Sequence, residues 1–395
     1  MVCGIMRAPA QRICLTKSQD NIAQINQSPL SVNGRDTLPN EIITIPVVIH
    51  VLYNSSSQNI SDDQIRSQLA VLNTDFRKTN GDIGNVPPAF AGLSGNARIN
   101  FCIARVDPLG RPTKGIIHKH TLTDVWTADD AVKFSASGGD DAWDSRRYLN
   151  IWVCNLFGRN LGYASLPGSV ANKDGVVIQF DVFGTIGSRY PFNKGRTATH
   201  EIGHWLGLKH VWGDADCGDD GISDTPPQQT YNNGCPSFPH TSNCSINANG
   251  DMFMNFMDFT DDACMYMFSH GQVIKMRSMF ATGGFKNSFL YSKVCDSAQA
   301  QGIPLPADST TIISSISMYP NPTTTQVTIA CSASDIIGKI IMIYDVLGKL
   351  VLSATLTSQK NILYINNLIP GMYIAKIGEG KNITSLRFMK ESQFR

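Results

Sequence analysis

The stretch TATHEIGHWLGLKHVWGD, residues 197–214, holds three histidines and one of only four glutamates in a chain of 395 residues. His200 and His204 stand four apart, so a helix carries them on one face, one turn from each other. Two imidazoles at that spacing can grip a single ion, and zinc suits them. Glu201 is placed beside them to take a proton from water at the metal. Gly207 lets the backbone adopt a positive φ, which ends the helix and returns His210 to the ion. Three neutral nitrogen ligands leave a fourth position open, the arrangement of a catalytic site rather than a closed structural one.

Working outward, the segments before the motif read as strands. EIITIPVVIHVLYN (41–54), ARINFCIARVDP (97–108), YLNIWVCNLF (148–157) and DGVVIQFDVFG (174–184) are rich in β-branched and aromatic residues. Ser61 is a candidate N-cap for a helix in which Ile65, Leu69, Leu72 and Phe76 recur at helical spacing. SHGQVIKMRSMF (269–280) reads as a third helix. The expected fold class is α/β (α+β), with a twisted sheet and an active-site helix over residues 41–295. Residues 1–40 read as a pro-segment and 296–313, which include DSAQAQGIPLPADST, as a linker. Residues 314–395 carry short strands between turn signals and read as an all-β sandwich.

Composition narrows the function further. A formal net charge of +1 gives no electrostatic case for nucleic acid or an anionic membrane. No run approaches the roughly 20 apolar residues of a membrane span. Four of the ten cysteines (Cys217, Cys235, Cys244 and Cys264) fall in one loop-rich stretch without a C-x2-C pair. That favours disulfides and an oxidising compartment, with three pairings open. Cys102 and Cys154 lie in strand-like apolar runs and read as inert buried thiols. GDADCGDDGISDTPPQ (213–228) offers many oxygen donors in a turn-rich loop, as calcium prefers. The start, MVCGIMRAPAQRIC, shows no apolar leader, for which a truncated N-terminus is the expected reason.

The spacing H-E-x-x-H-x-x-G-x-x-H followed by a methionine turn is the metzincin signature. Within MNFMDFTDDACMYMF (254–268), Met257 is the expected floor beneath the histidines and Met254 the weaker candidate. The chain resembles the pappalysin family of metzincins from about Ile43 to Cys295. IPVVIHVLYN, DAWDSRRYLNIWVCNL, GYASLPG, GRTATHEIGHWLGLKHVWGD and DTPPQ carry the match. The resemblance implies a secreted zinc endopeptidase with His200, His204 and His210 as ligands and Glu201 as general base and acid. It implies the pairings Cys217–Cys244 and Cys235–Cys264, and calcium at Asp220 and Thr225 with Asp224 nearby. It also implies protein or peptide substrates cleaved beside basic residues, with Asp251 as candidate base of the specificity pocket. GYASLPG is the expected rim for strand-like substrate pairing.

Two departures stand out. Phe259 replaces a tyrosine that the family usually places two residues after the turn methionine, which implies reduced turnover. RICLT (12–16) stands where the family carries Arg-x-Cys-Gly-Thr, so Cys14 is a candidate latency switch despite Leu15. YPNPTTTQVTI, IYDVLGKLV and LIPGMYIAKI resemble the sorting domain of type IX secretion cargo, implying a secretion machinery as partner. The alternative function is a non-catalytic surface binding protein that keeps the zinc helix.

Overall fold

The structure is a computed structural model that describes residues 12–16, 41–245, 248–296, 316–331, 337–345, 348–377 and 384–392. The remainder of the expected pro-segment and nearly all of the expected linker lie outside the described residues. The chain divides into two compact units, Met1–Ile303 and Pro304–Arg395.

The first unit is built on β1 (Ile43–Tyr53), an almost fully buried strand, as its near-continuous apolar run requires. Helix α1 (Asp62–Asp75) follows, N-capped by Ser61, whose hydroxyl accepts from the Gln64 amide. A short α2 (Pro88–Ala91) leads to β2 (Ile99–Ile103) and β3 (Ile116–His120). Both pair parallel with β1, β2 at its start and β3 at its end. Next come β4 (Leu149–Cys154), β5 (Gly162–Ala164) and β6 (Gly175–Gln179), giving the order β2-β1-β4-β6-β5. Strands β1, β4 and β6 are parallel, whereas β5 runs antiparallel at the edge. An edge strand keeps one side of its backbone free for pairing, and β5 holds that place beside the catalytic motif.

Helix α3 (Arg196–Trp205) carries the motif and is buried along its whole length. Gln68 of α1 donates to the Gly195 carbonyl and Thr199 of α3 donates to Asp75, so the body of each helix is tied to an end of the other. α3 stops at Gly207, whose φ of +88° suits only glycine without strain. Helix α4 (His270–Ser278) starts in a capping box between Ser269 and Gln272.

Cys102 departs from expectation. It is no inert thiol but forms a disulfide with Cys295, 193 residues away, fastening β2 to the end of the unit. Cys154 is buried and unbonded. Disulfides also join Cys217 to Cys244 and Cys235 to Cys264.

The second unit contains β7 (Ile316–Tyr319), β8 (Gln326–Cys331), β9 (Ile340–Asp345), β10 (Leu350–Thr355), β11 (Lys360–Tyr364), β12 (Gly371–Ile377) and β13 (Thr384–Lys390). They form two antiparallel sheets, β10-β9-β12-β13 and β11-β8-β7. Val327, Ile329 and Leu363 from one sheet share a core with Ile341, Ile343, Tyr373 and Phe388 from the other.

Candidate active site

Helical spacing brings His200 and His204 together, and the turn after Gly207 brings His210 back to them. Nε2 of His204 lies 3.1 Å from Nε2 of His200 and 3.0 Å from Nε2 of His210. Each ring is oriented from behind. Nδ1 of His200 donates to the Phe256 carbonyl, that of His204 to the Leu208 carbonyl and that of His210 to Asp214. With the protons so committed, the Nε2 lone pairs face one another, and a cation is what reconciles them. Tetrahedral zinc with bonds of about 2.0–2.1 Å sets its nitrogens roughly 3.3 Å apart, so the donor set fits that ion. Burial, followed by the neighbouring imidazoles, holds His200 well below its usual range, and burial takes His204 down to about 3. Both are therefore neutral, as ligands must be.

Met257 lies under this cluster, and a Cβ on Gly203 would meet its sulfur at 2.5 Å. Glycine in the helix lets the methionine approach this closely. Met254 belongs to a separate cluster with Phe90 and Met267. Phe259 packs on His200 and His210 at 5.7 and 4.9 Å between ring centroids, and Trp212 stacks flat on His210 at 4.3 Å.

Residues 12–16 cross the site. Leu161 donates to the Ile13 carbonyl and Leu15 to the Gly162 carbonyl, so the segment pairs parallel with β5. Cys14 Sγ and the three histidine nitrogens all lie within 4.8 Å of one another. That sulfur is also 3.4 Å from Glu201 Oε2, and the Thr16 hydroxyl donates to the same oxygen at 3.1 Å. Burial, then the Glu201 charge, push the Cys14 thiol well up; a cation among the imidazoles reverses that bias. Burial also raises Glu201 to about 7, against the lowering influence of Cys14, Thr16 and Arg12.

Arg12 is only 2% exposed. Its guanidinium pairs with Asp262, donates to Thr197 Oγ1 and the Thr260 carbonyl, and lies over the Phe192 ring. Asp262 also accepts from the Lys194 and Arg196 amides at the start of α3. Asp251 lies elsewhere. Its carboxylate accepts from Ser242 and Ser245, and among the described residues no basic side chain bonds to it. Asp220 Oδ1 accepts from Thr225 Oγ1 and the Ile222 amide, whereas its buried Oδ2 has no partner among the described residues. Burial lifts Asp220 to about 7. Asp224 is separate from that pair and caps α4 through Ser269 Oγ and the Gly271 amide. Sequence reasoning missed Arg12, Thr16 and Asp262, whose partners stand far away in the chain, and it also missed Asp214, although its spacing of four residues from His210 was a usable signal.

The family of pregnancy-associated plasma protein-A peptidases matches residues 135–281, and a secretion-system C-terminal sorting domain matches residues 317–391. Mature mirolysin of Tannerella forsythia, solved with a cleaved peptide, is 53% identical with a TM-score of 0.63. That match covers 64% of this chain and 97% of mirolysin. A promirolysin mutant from the same organism matches at 53% identity and TM-score 0.63, covering 64% of this chain and 85% of that one. An extracellular metalloprotease of Verticillium alfalfae is 30% identical over 295 residues, which are 71% of this chain and 89% of the relative. The chain belongs to the pappalysin family of metalloproteases. It is a secreted pappalysin-type endopeptidase with a type IX sorting domain, and no helix among the described residues is long and apolar enough to cross a membrane.

Proposed function

We propose that this pappalysin is a latent zinc endopeptidase that cleaves beside basic residues and is silenced by its own residues 12–16. The observation that carries the reading is the position of that segment over the three histidines. His200, His204 and His210 would hold zinc, with Met257 beneath them. When bound, zinc supplies Lewis acidity, making water acidic near neutral pH and polarising a carbonyl. Glu201 takes a proton from the attacking water and hands it to the leaving amine, and its raised pKa suits both steps. In the latent chain Cys14 would offer the metal a fourth ligand beside the three histidines, while the Thr16 hydroxyl donates to the base.

Arg12 is the argument for basic specificity. Its guanidinium sits in a buried slot with Asp262 as counter-ion, as a substrate arginine or lysine would. We therefore assign that role to Asp262 and not to Asp251. The Asp220–Thr225 pair, with its unpartnered carboxylate oxygen, is our candidate for calcium. Asp224 is left out because both its oxygens are engaged at α4.

The test compares chains freed of residues 1–40. Glu201→Ala should keep one zinc per chain and lose at least 100-fold in peptide cleavage. Asp262→Asn should keep general activity and lose the preference for arginine and lysine directly beside the scissile bond. Zinc-loaded wild type that cleaves nothing, or a preference unchanged in Asp262→Asn, would sink the corresponding half of the proposal.

A further inference from the structure

We propose that a second pocket of the same unit, with Asp251 in its wall, is a subsite for a cationic side chain of the substrate. The inference rests on reading the cleft as that of an endopeptidase. The pocket has a volume of about 410 Å³, enough for an extended lysine or arginine side chain, and its lining includes Tyr231, Asn232, His240, Thr241, Ser242 and Asp251. None of the groups around Arg12 contributes to it, so it is separate from the Asp262 slot.

Its position links it to the metal centre. Tyr231 packs at a tilt against Phe259 at 5.4 Å, and Phe259 packs edge-on against His210 at 4.9 Å. Two ring contacts correspond to roughly two or three residues of an extended chain rising ~3.3 Å per residue. Our proposal is that a peptide lying over the histidines extends one of its outer side chains into this pocket.

The walls are built rather than fortuitous. Asp258 accepts from the Asn232 amide, Asn232 Nδ2 and Gln228 Nε2, which fixes the Tyr231 wall to the methionine turn. The Gln229 amide donates to Ser242 Oγ, and the Cys217–Cys244 bridge closes behind the other wall. The His240 imidazole is turned toward Phe253, while its carbonyl accepts from the Asp251 amide.

Chemistry selects the occupant. Asp251 is the one carboxylate in a lining of hydroxyls, amides and a single imidazole. Both donors to its side chain, Ser242 and Ser245, reach Oδ1, and no described group donates to Oδ2. The carboxylate is buried at 2% exposure, so a cation with several donors completes it where a neutral apolar side chain cannot.

The first arm of the test uses the full chain with residues 12–16 in place. Arg12 then fills the Asp262 slot, leaving Asp251 for a guanidinium probe. Butylguanidine titrated into this chain should bind saturably at one site, and Asp251→Asn should weaken binding at least tenfold. Thr241→Trp, which blocks the pocket without removing a partner of Asp251, should do the same and covers a failure of Asp251→Asn to fold. No saturable binding, or unchanged affinity in a folded variant, overturns the proposal. In the second arm, the chain freed of residues 1–40 receives peptides in which one lysine is moved a residue at a time. A preference two or three residues from the scissile bond, lost about tenfold in Asp251→Asn and kept in Asp262→Asn, supports it. A preference that follows Asp262 alone overturns it. If no peptide is cleaved, the protease reading falls, and the binding arm still decides the pocket.

Discussion

Thr16 shows how much one hydroxyl can control. It donates to Glu201 Oε2 and accepts from the Ala164 amide at 2.8 Å, so a single oxygen joins the silencing segment to both the base and the rim strand. Thr16→Val keeps the shape and removes both bonds. The half-buried Ala164 amide and the buried Glu201 carboxylate each lose a partner, and the second loss alone costs about 1–3 kcal/mol. We predict that uncut Thr16→Val chain cleaves peptide at least tenfold faster than uncut wild type, because the docked segment is loosened. Cys14→Ala should release more, since it frees the metal position itself. Equal background rates in wild type and Thr16→Val would show that the thiol alone maintains silence. Only one part of this lock was legible. Cys14 announces itself through thiol chemistry, but Arg12 and Asp262 stand 250 residues apart, and local spacing carries no trace of their pairing.

At the level of elements, what could be read depended on whether periodicity or distance set the structure. The motif helix, α1 and the buried strands declare themselves through spacings of 3.6 and 2 and through capping residues. Strand β3 (IIHKH) does not, because two apolar residues followed by a polar run on a half-exposed strand leave no alternation to read. Cys102 was misread for the same kind of reason. Its apolar setting looks like that of an inert thiol, and the partner is supplied by a segment with no pattern of its own. Composition pointed to a calcium loop and the resemblance to its donors, yet Asp224 is engaged at the start of α4 by Ser269 and Gly271, 45 and 47 residues away. The paired cysteines allow a quantitative expectation. Cys235 and Cys264 close a loop of 29 residues, and restricting the unfolded chain to that extent is worth about 3–4 kcal/mol. The double variant Cys235→Ala, Cys264→Ala should lose about that much in urea unfolding of the first unit. A loss below about 1 kcal/mol would mean that the surrounding contacts already fix the loop.

Over the whole catalytic unit, buried carboxylates set the dependence on pH. Burial raises Asp75 and Asp220 from 3.8 to about 7 and Asp258 from 3.8 to about 6. The unfolded chain releases these protons near pH 4, whereas the folded chain keeps them until pH 6–7. Their contribution to stability is therefore complete below pH 4 and is lost as the pH rises through about 7. Calcium at Asp220 would turn that loss to use, because the ion must displace the proton before it can bind the carboxylate. Millimolar calcium should accordingly raise Tm more at pH 8 than at pH 5.5, and Asp220→Asn should abolish the difference. The variant without calcium should also lose less stability between pH 4 and 7 than wild type does, since one of the raised carboxylates is gone. A calcium effect of equal size at both pH values, or one that survives in Asp220→Asn, would place the ion elsewhere and leave the open oxygen of Asp220 as a cost of the loop's packing.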